Sequence, residues 1–305
     1  MCLGDGGDDG DGGSVEFDQF AEWYTKQGYE ILQWLELLDR RKWPGQPQFE
    51  FALAGVGGER DVAARLRVYP EDATLLQNLL RATNFGRVGI TEILDVVRAV
   101  ASGGKVTQSD FNRCVRTFVG GPMTNRDDIS LVSGVLSSIF NIMDRDDTRS
   151  IHVDDAVGAL ALFSSGSKSD KLATVFDAFD VDRLGWLTKR QLWRYLRSFL
   201  SSIASLCGGG SGVTDGSGGA ASSASSSSSL SASSIDNACV ALTDRIFEDA
   251  DLHDDEDRIT FEEFADWYTY TGFEYAPWLE LLDQKKWFVG GEVVEMAEES
   301  EMSED

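Results

Sequence analysis

Apolar residues fall at helical spacing through most of the chain. Leu75, Leu76, Leu79 and Leu80 form one such run, Ile93, Leu94, Val96, Val97 and Val100 a second, and Phe111, Cys114, Val115 and Phe118 a third. Recurrence every three to four residues lines up one face of a helix, so each run predicts an amphipathic helix. The alternation in "QFEFALAG" and "AARLRVYP" is of period two; with Gly57 and Gly58 between them these stretches predict a small β-hairpin. The fold class expected is all-α, with that one hairpin as the exception.

Within the helical body a unit recurs: a helix ending in aromatic and aliphatic residues, an acidic or glycine-rich loop, one aliphatic residue, then another helix. It recurs around Ile90, Val106, Ile151, Leu187, Ile259 and, truncated, Val15. The single aliphatic residue in each loop predicts a very short β-ladder joining loops in pairs. A Gly/Ser/Ala tract, Cys207 to Ser234, contains nothing to build a core from and reads as a flexible linker. The expected boundaries are a truncated first unit with a Trp-rich helix over 1–43, the hairpin over 44–70, a degenerate pair over 71–120 and a central pair over 130–204. The linker follows over 205–234, then a last unit with its own Trp-rich helix over 235–289, and an acidic tail over 290–305.

The loops carry the chemistry. "DRDDTRSIHVDD" places Asp144, Asp146, Thr148, Ser150, His152 and Asp155 at positions 1, 3, 5, 7, 9 and 12 of a loop of about twelve residues, the pattern that surrounds Ca²⁺ with oxygen atoms. Here the chain resembles the EF-hand superfamily, with "VLSSIFNIM" and "AVGALALF" as the entering and exiting helices. The spacing of the central pair is similar to that of calcineurin B and neuronal calcium sensors. Two departures bear on affinity. Arg149 replaces the glycine usual at position 6, and Asp155 replaces the longer glutamate at position 12, which favours Mg²⁺ or a weaker Ca²⁺ site. In "DVDRLGWLTKRQ", Asp180 and Asp182 fit positions 1 and 3, while Leu184 and Gln191 supply no charge; Leu187 is expected to pair with Ile151. In "DLHDDEDRITFEE" the candidate ligands are Asp251, Asp255, Asp257 and Glu263. The loops before Ile90 and Val106 lack acids and read as structural. The first loop keeps Asp8 and Asp11 but has no entering helix, so it is either half lost or begins before the first residue.

Two stretches 244 positions apart, "FDQFAEWYTKQGYEILQWLELLDRRKW" and "FEEFADWYTYTGFEYAPWLELLDQKKW", agree at 16 of 27 positions. In each, a glycine (Gly28, Gly272) is expected to break the helix leaving the loop, and "WLELLD" to start a second amphipathic helix. That helix would cover the apolar face of a last unit left without a neighbour by the linker, unless the first and last units pair across the chain, or it would plug the groove until a partner displaces it.

The 52 acidic against 27 basic residues give a formal charge of -25, which repels phosphate backbones and anionic membrane surfaces. No nucleic-acid partner and no stable membrane insertion are therefore expected. Four cysteines without C-x-x-C spacing read as reduced thiols of a cytoplasmic protein. No nucleophile elbow or phosphate loop occurs, and both histidines sit in the candidate loops, so an enzyme is not expected. The reading is a Ca²⁺-binding sensor or regulatory protein that meets a protein partner through an apolar groove; the alternative is a calcium-insensitive scaffold built from degenerate hands.

Overall fold

The computed structural model describes residues 16–28, 31–32, 35, 46–53, 64–119, 125–208, 230–249 and 258–288. The chain separates into two units, Met1–Gln46 and Pro47–Asp305. In the first, helix α1 (Phe17–Trp23) continues as a π-helical turn, Tyr24–Gly28. The Trp23 ring lies where a β-carbon on residue 28 would stand, 2.5 Å away, so only glycine fits there.

The second unit opens with the expected hairpin, β1 (Phe49–Ala52) antiparallel to β2 (Arg65–Val68), with Phe51 opposite Leu66. Gly57 and Gly58 lie outside the described residues. Helix α2 (Pro70–Ala82) follows, with Pro70 in its first turn, where the missing N–H would have no partner in any case. Next come four helix–strand–helix hands. The first is α3 (Ile90–Val100), β3 (Lys105–Thr107) and α4 (Gln108–Thr117). The second is α5 (Arg126–Met143), β4 (Ser150–His152) and α6 (Val153–Leu160). The third comprises α7 (Lys168–Phe179), β5 (Trp186–Thr188) and α8 (Lys189–Gly208), and the fourth α9 (Ala232–Asp249), β6 (Arg258–Thr260) and α10 (Phe261–Trp267).

The strand pairing differs from the sequence expectation. Ile151 faces Val106, not Leu187, because β4 pairs with β3. Leu187 faces Ile259 through β5 and β6. The central pair expected over 130–204 therefore splits between two pairs, and the last hand has a partner after all. Helix packing accounts for this. Leu196, Phe199, Leu200 and Ile203 of α8 are fully buried, and α9 packs on that helix through Ile235, Cys239, Leu242 and Ile246. This contact lays β6 beside β5. The intervening tract adds little cost, since loop-closure entropy rises by only ~0.6 kcal/mol per doubling of length.

Ile90 also departs from expectation. It is the first residue of α3 and buried; the residue before it makes only an isolated bridge, Gly89 to Ser165. The connection from α2 is a short 3₁₀ turn, Phe85–Arg87, too tight for a cation loop, so α2 joins α3 without forming a hand. The linker is shorter than its composition suggests: α8 runs to Gly208, with Leu206 fully buried, and α9 starts at Ala232.

After α10 the chain does not break at Gly272. It runs on as a π-helical turn, Tyr268–Gly272, into a last helical turn α11, Phe273–Tyr275, and Gly272 itself is right-handed at φ -66°. Glycine is required because the Trp267 ring stands 2.4 Å from where a β-carbon would sit. "WLELLD" is a 3₁₀ helix, Pro277–Leu282, followed by a second, Gln284–Trp287. Pro277 starts it, and Ala276 leaves helical space at φ -129°. Trp278, Leu279, Leu281 and Leu282 are buried on a helix that packs against α7 and α8, and Trp287 is buried in the one that follows. Polar bonds fix the segment there: Lys168 pairs with Glu280, the Lys171 ammonium donates to the Leu282 carbonyl at 2.8 Å, and Gln284 Nε2 lies 2.9 Å from the carbonyls of Phe163 and Ser164. An aromatic cluster sits beneath α10, where Tyr195 meets Phe176, Phe199 and Phe264 edge-on at 4.9–5.8 Å.

Candidate calcium loops

The loop of the second hand begins where α5 ends. Asp144 turns its carboxylate back over the loop: one oxygen accepts the Thr148 N–H at 3.0 Å and the other the Arg149 N–H at 2.7 Å. Those are positions 5 and 6, and the carboxylate holds the turn in shape. Asp147 and Arg149 take left-handed conformations, φ 48° and 55°, which non-glycine residues adopt at a cost of about 1 kcal/mol each. The loop of the third hand repeats this geometry. Asp180 accepts from Leu184 N–H at 2.9 Å and Gly185 N–H at 2.6 Å, with Arg183 at φ 55° and Gly185 at φ 81°. Two loops that share only the aspartates at positions 1 and 3 thus have the same turn.

Asp144, Asp146, Thr148, Ser150 and Asp155, the oxygen-bearing residues at ligand positions of the second hand, line a single cleft of about 180 Å³ together with His152. Thr148 Oγ1 lies 3.0 Å from Ser150 Oγ. This donor set fits a hard divalent cation in type and order. One member is engaged elsewhere. Asp155 accepts from the Arg194 guanidinium at 2.8 Å, as does the adjacent Asp154. Burial pushes the Asp155 carboxyl above the usual aspartate range, against the pull of Arg194 and with the help of its neighbour Asp154. Sequence spacing gave no sign of Arg194, which approaches from α8, 39 positions away.

In the third hand Asp180 and Asp182 remain the only carboxylates at ligand positions. Leu184 is an exposed apolar side chain. Gln191 at position 12 accepts the Thr188 N–H at 2.9 Å and donates to the Phe179 carbonyl at 2.9 Å, so it closes the loop as a neutral tie. In the fourth hand Asp251, Asp255 and Asp257 lie outside the described residues. Glu263 is described: its carboxylate accepts the Thr260 N–H at 2.8 Å, and Thr260 Oγ1 accepts the Glu263 N–H, a reciprocal cap at the start of α10. Among the described residues no three His, Cys, Asp or Glu side chains gather closely enough to hold a metal by themselves.

Comparison with known proteins bears on these loops. Residues 169–269 match the EF-hand domain pair. That span holds the third and fourth hands and the linker between them, the two hands that β5 and β6 join. The fold is the all-α EF-hand fold. A recoverin family protein of Dictyostelium discoideum is 23% identical over 126 residues, which cover 41% of this chain and 54% of that protein. The chain thus spans about half the length of that relative. An EF-hand pair implies Ca²⁺ binding, and the cleft of the second hand offers oxygen donors that suit it. Among the described residues no helix is long and apolar enough to cross a membrane.

Sequence reasoning missed two other polar groups. Lys171 is fully buried, and burial lowers its pKa to about 8, partly offset by Asp283. Its position in "SDKLATVFDAF", four residues before Val175 on the apolar stripe, was the available signal. Arg197, also buried, binds Asp236 at 2.6 Å and the Ile142 carbonyl at 2.8 Å, and so ties the start of α9 to the end of α5.

Proposed function

We propose that the protein is a cytoplasmic, non-enzymatic Ca²⁺ sensor or regulator that acts by calcium-dependent binding to a protein partner. The observation that carries this reading is the pair of loops in which Asp144 and Asp180 hold the N–H groups of positions 5 and 6, so that the turn is already formed. A preformed loop does not have to be ordered when the ion arrives. The ligands in the second hand are Asp144, Asp146, Thr148, Ser150 and Asp155, with Mg²⁺ as the competing ion. In the fourth hand they are Asp251, Asp255, Asp257 and Glu263. The third hand, with Asp180 and Asp182 alone, contributes weakly. The partner surface is an apolar groove that changes of angle within an EF-hand would open, while residues 277–287 stay in place as core. A relation to calcineurin B and neuronal calcium sensors belongs to this reading and rests on the spacing of the loops at Asp144 and Asp180.

Calorimetric titration of Ca²⁺ and Mg²⁺ into the full chain, with tryptophan fluorescence read in parallel, tests the proposal. Between one and three sites and a calcium-dependent change of fluorescence are expected. Heats indistinguishable from dilution would refute it. They would favour a calcium-insensitive scaffold, a reading that Leu184 and the neutral Gln191 tie support in the third hand alone.

A further inference from the structure

We infer that Arg194 sets the calcium affinity of the second hand by holding its position-12 carboxylate from the neighbouring pair. The inference rests on the functional reading above. Three hands treat the residue at position 12 alike. Asp110, Gln191 and Glu263 each bond to a threonine three residues earlier, Thr107, Thr188 and Thr260, which caps the helix that follows. The partners of these side chains all belong to their own hands. In the second hand His152 takes the place of that threonine, and its side chain makes no cap. Asp155 is left without the local partner its counterparts have, and the Arg194 guanidinium takes it at 2.8 Å.

The clamp is well placed to compete. The Arg194 side chain is 21% exposed, Asp155 16% and Asp154 8%, so water screens the pair only in part. The guanidinium lies 5.4 Å from the centroid of the Phe179 ring and reaches both carboxylates, which fixes its direction. Arg194 also lines the cleft that Asp144, Asp146 and Asp155 share. A cation entering that cleft meets a positive charge on its wall, and its last ligand is already neutralised. For Asp155 to turn to the ion, it must leave Arg194. Because Arg194 belongs to α8, the exiting helix of the third hand, that exchange passes a signal from one pair of hands to the other.

The test is calorimetric titration of Ca²⁺ into the full-length protein as wild type, Arg194→Gln, Arg194→Lys and Arg194→Gln with Asp144→Asn. A hydrogen bond between charged groups is worth enough that its removal should tighten the second-hand site about tenfold in Arg194→Gln. Arg194→Lys keeps the charge but loses the planar fork that reaches both carboxylates, so it should tighten the site by less than Arg194→Gln. Adding Asp144→Asn should abolish the tightened phase, which assigns it to this loop. A merely structural arginine would weaken binding when removed, so the direction of change separates the two roles. Equal or weaker binding by a folded Arg194→Gln, with wild type still binding, overturns the inference and leaves the sensor reading intact. If Arg194→Gln does not fold, an Arg194→Lys site equal to or weaker than wild type overturns the inference and a tighter one supports it. No binding at this loop in any variant overturns the sensor reading for the loop and the inference with it.

Discussion

Replacing Trp278 and Leu282 with alanine tests whether the segment after the fourth hand is core. Trp278 is 2% exposed and Leu282 fully buried, both against α7 and α8. Truncating a buried tryptophan typically costs ~3–5 kcal/mol and a buried leucine ~2–5 kcal/mol. The two lie four residues apart on one short 3₁₀ helix that packs against α7 and α8, so the sum should be less than additive. A combined loss of about 5–8 kcal/mol is expected, which is comparable to the whole stability of an ordinary domain. Leu282→Ala alone, at ~2–5 kcal/mol, therefore provides the measurable case. The Leu282 carbonyl accepts from Lys171, and Glu280 pairs with Lys168, so loosening the helix also strips partners from two lysines. Urea unfolding followed by far-ultraviolet circular dichroism, with and without calcium, gives the midpoint and slope. Unfolding free energies within ~1 kcal/mol of wild type, together with stronger calcium-dependent binding of an apolar dye, would refute the core assignment and establish a displaceable plug. Hydrogen exchange on the wild type gives an independent answer: residues 277–287 should stay protected when calcium is added.

The buried lysine gives a pH test. Its pKa is about 8 in the folded chain against 10.5 as the ordinary value, so between those limits the unfolded state binds more protons and stability should rise with pH; below pH 8 the cost of burying the charge is fully present. Lys171→Met should flatten that rise in unfolding free energy measured from pH 7 to pH 11, and an unchanged slope would refute the assignment. Gly272→Ala should destabilise by ~1–3 kcal/mol, because its methyl would stand 2.4 Å from the Trp267 ring; an unaltered melting temperature would show that the ring moves freely. Asp144→Ala should remove the calcium site of the second hand and also loosen the loop, since the Thr148 and Arg149 N–H groups lose their acceptor; unchanged calcium stoichiometry would refute the ligand assignment. Shortening 209–229 should leave the pairing of the third and fourth hands intact, as read from amide contacts across Leu187 and Ile259, and loss of those contacts would show that the tract does more than connect.

The hands were legible because every loop carries one aliphatic residue ahead of an amphipathic helix, and those at Asp144, Asp180 and Asp251 open on aspartate. Which hand pairs with which was not. A strand of three residues carries one inward side chain, and Val106, Ile151, Leu187 and Ile259 are interchangeable in that role. The choice is made by α8 against α9, a contact between residues on opposite sides of a tract that looks like a boundary. The fate of Asp155 was hidden for the same reason, since its partner is fixed by how α8 crosses α6 and not by the loop.

The duplicated stretch separates what local sequence determines from what it does not. In both units the hydroxyl of the threonine after the Trp-Tyr pair bonds four residues back, Thr25 to Ala21 and Thr269 to Ala265, at 2.9 and 2.8 Å. The tyrosine hydroxyl reaches the carbonyl eight residues on, Tyr24 to Leu32 and Tyr268 to Ala276, at 3.5 Å in each. The backbone N–H of Leu32 and of Ala276 closes on the glycine carbonyl at 2.8 Å. Leu32 and Ala276 differ in side chain, and the copies lie in different units, yet the bonds repeat. The π-turn is therefore set by residues within the stretch, chiefly the tryptophan whose ring occupies the glycine's missing side chain. Packing does not follow from it: Phe264 and Trp267 are buried in the second unit, whereas no residue of Phe17–Trp23 is buried. The tight turn is a property of the sequence, and the face it buries is a property of the surface it meets.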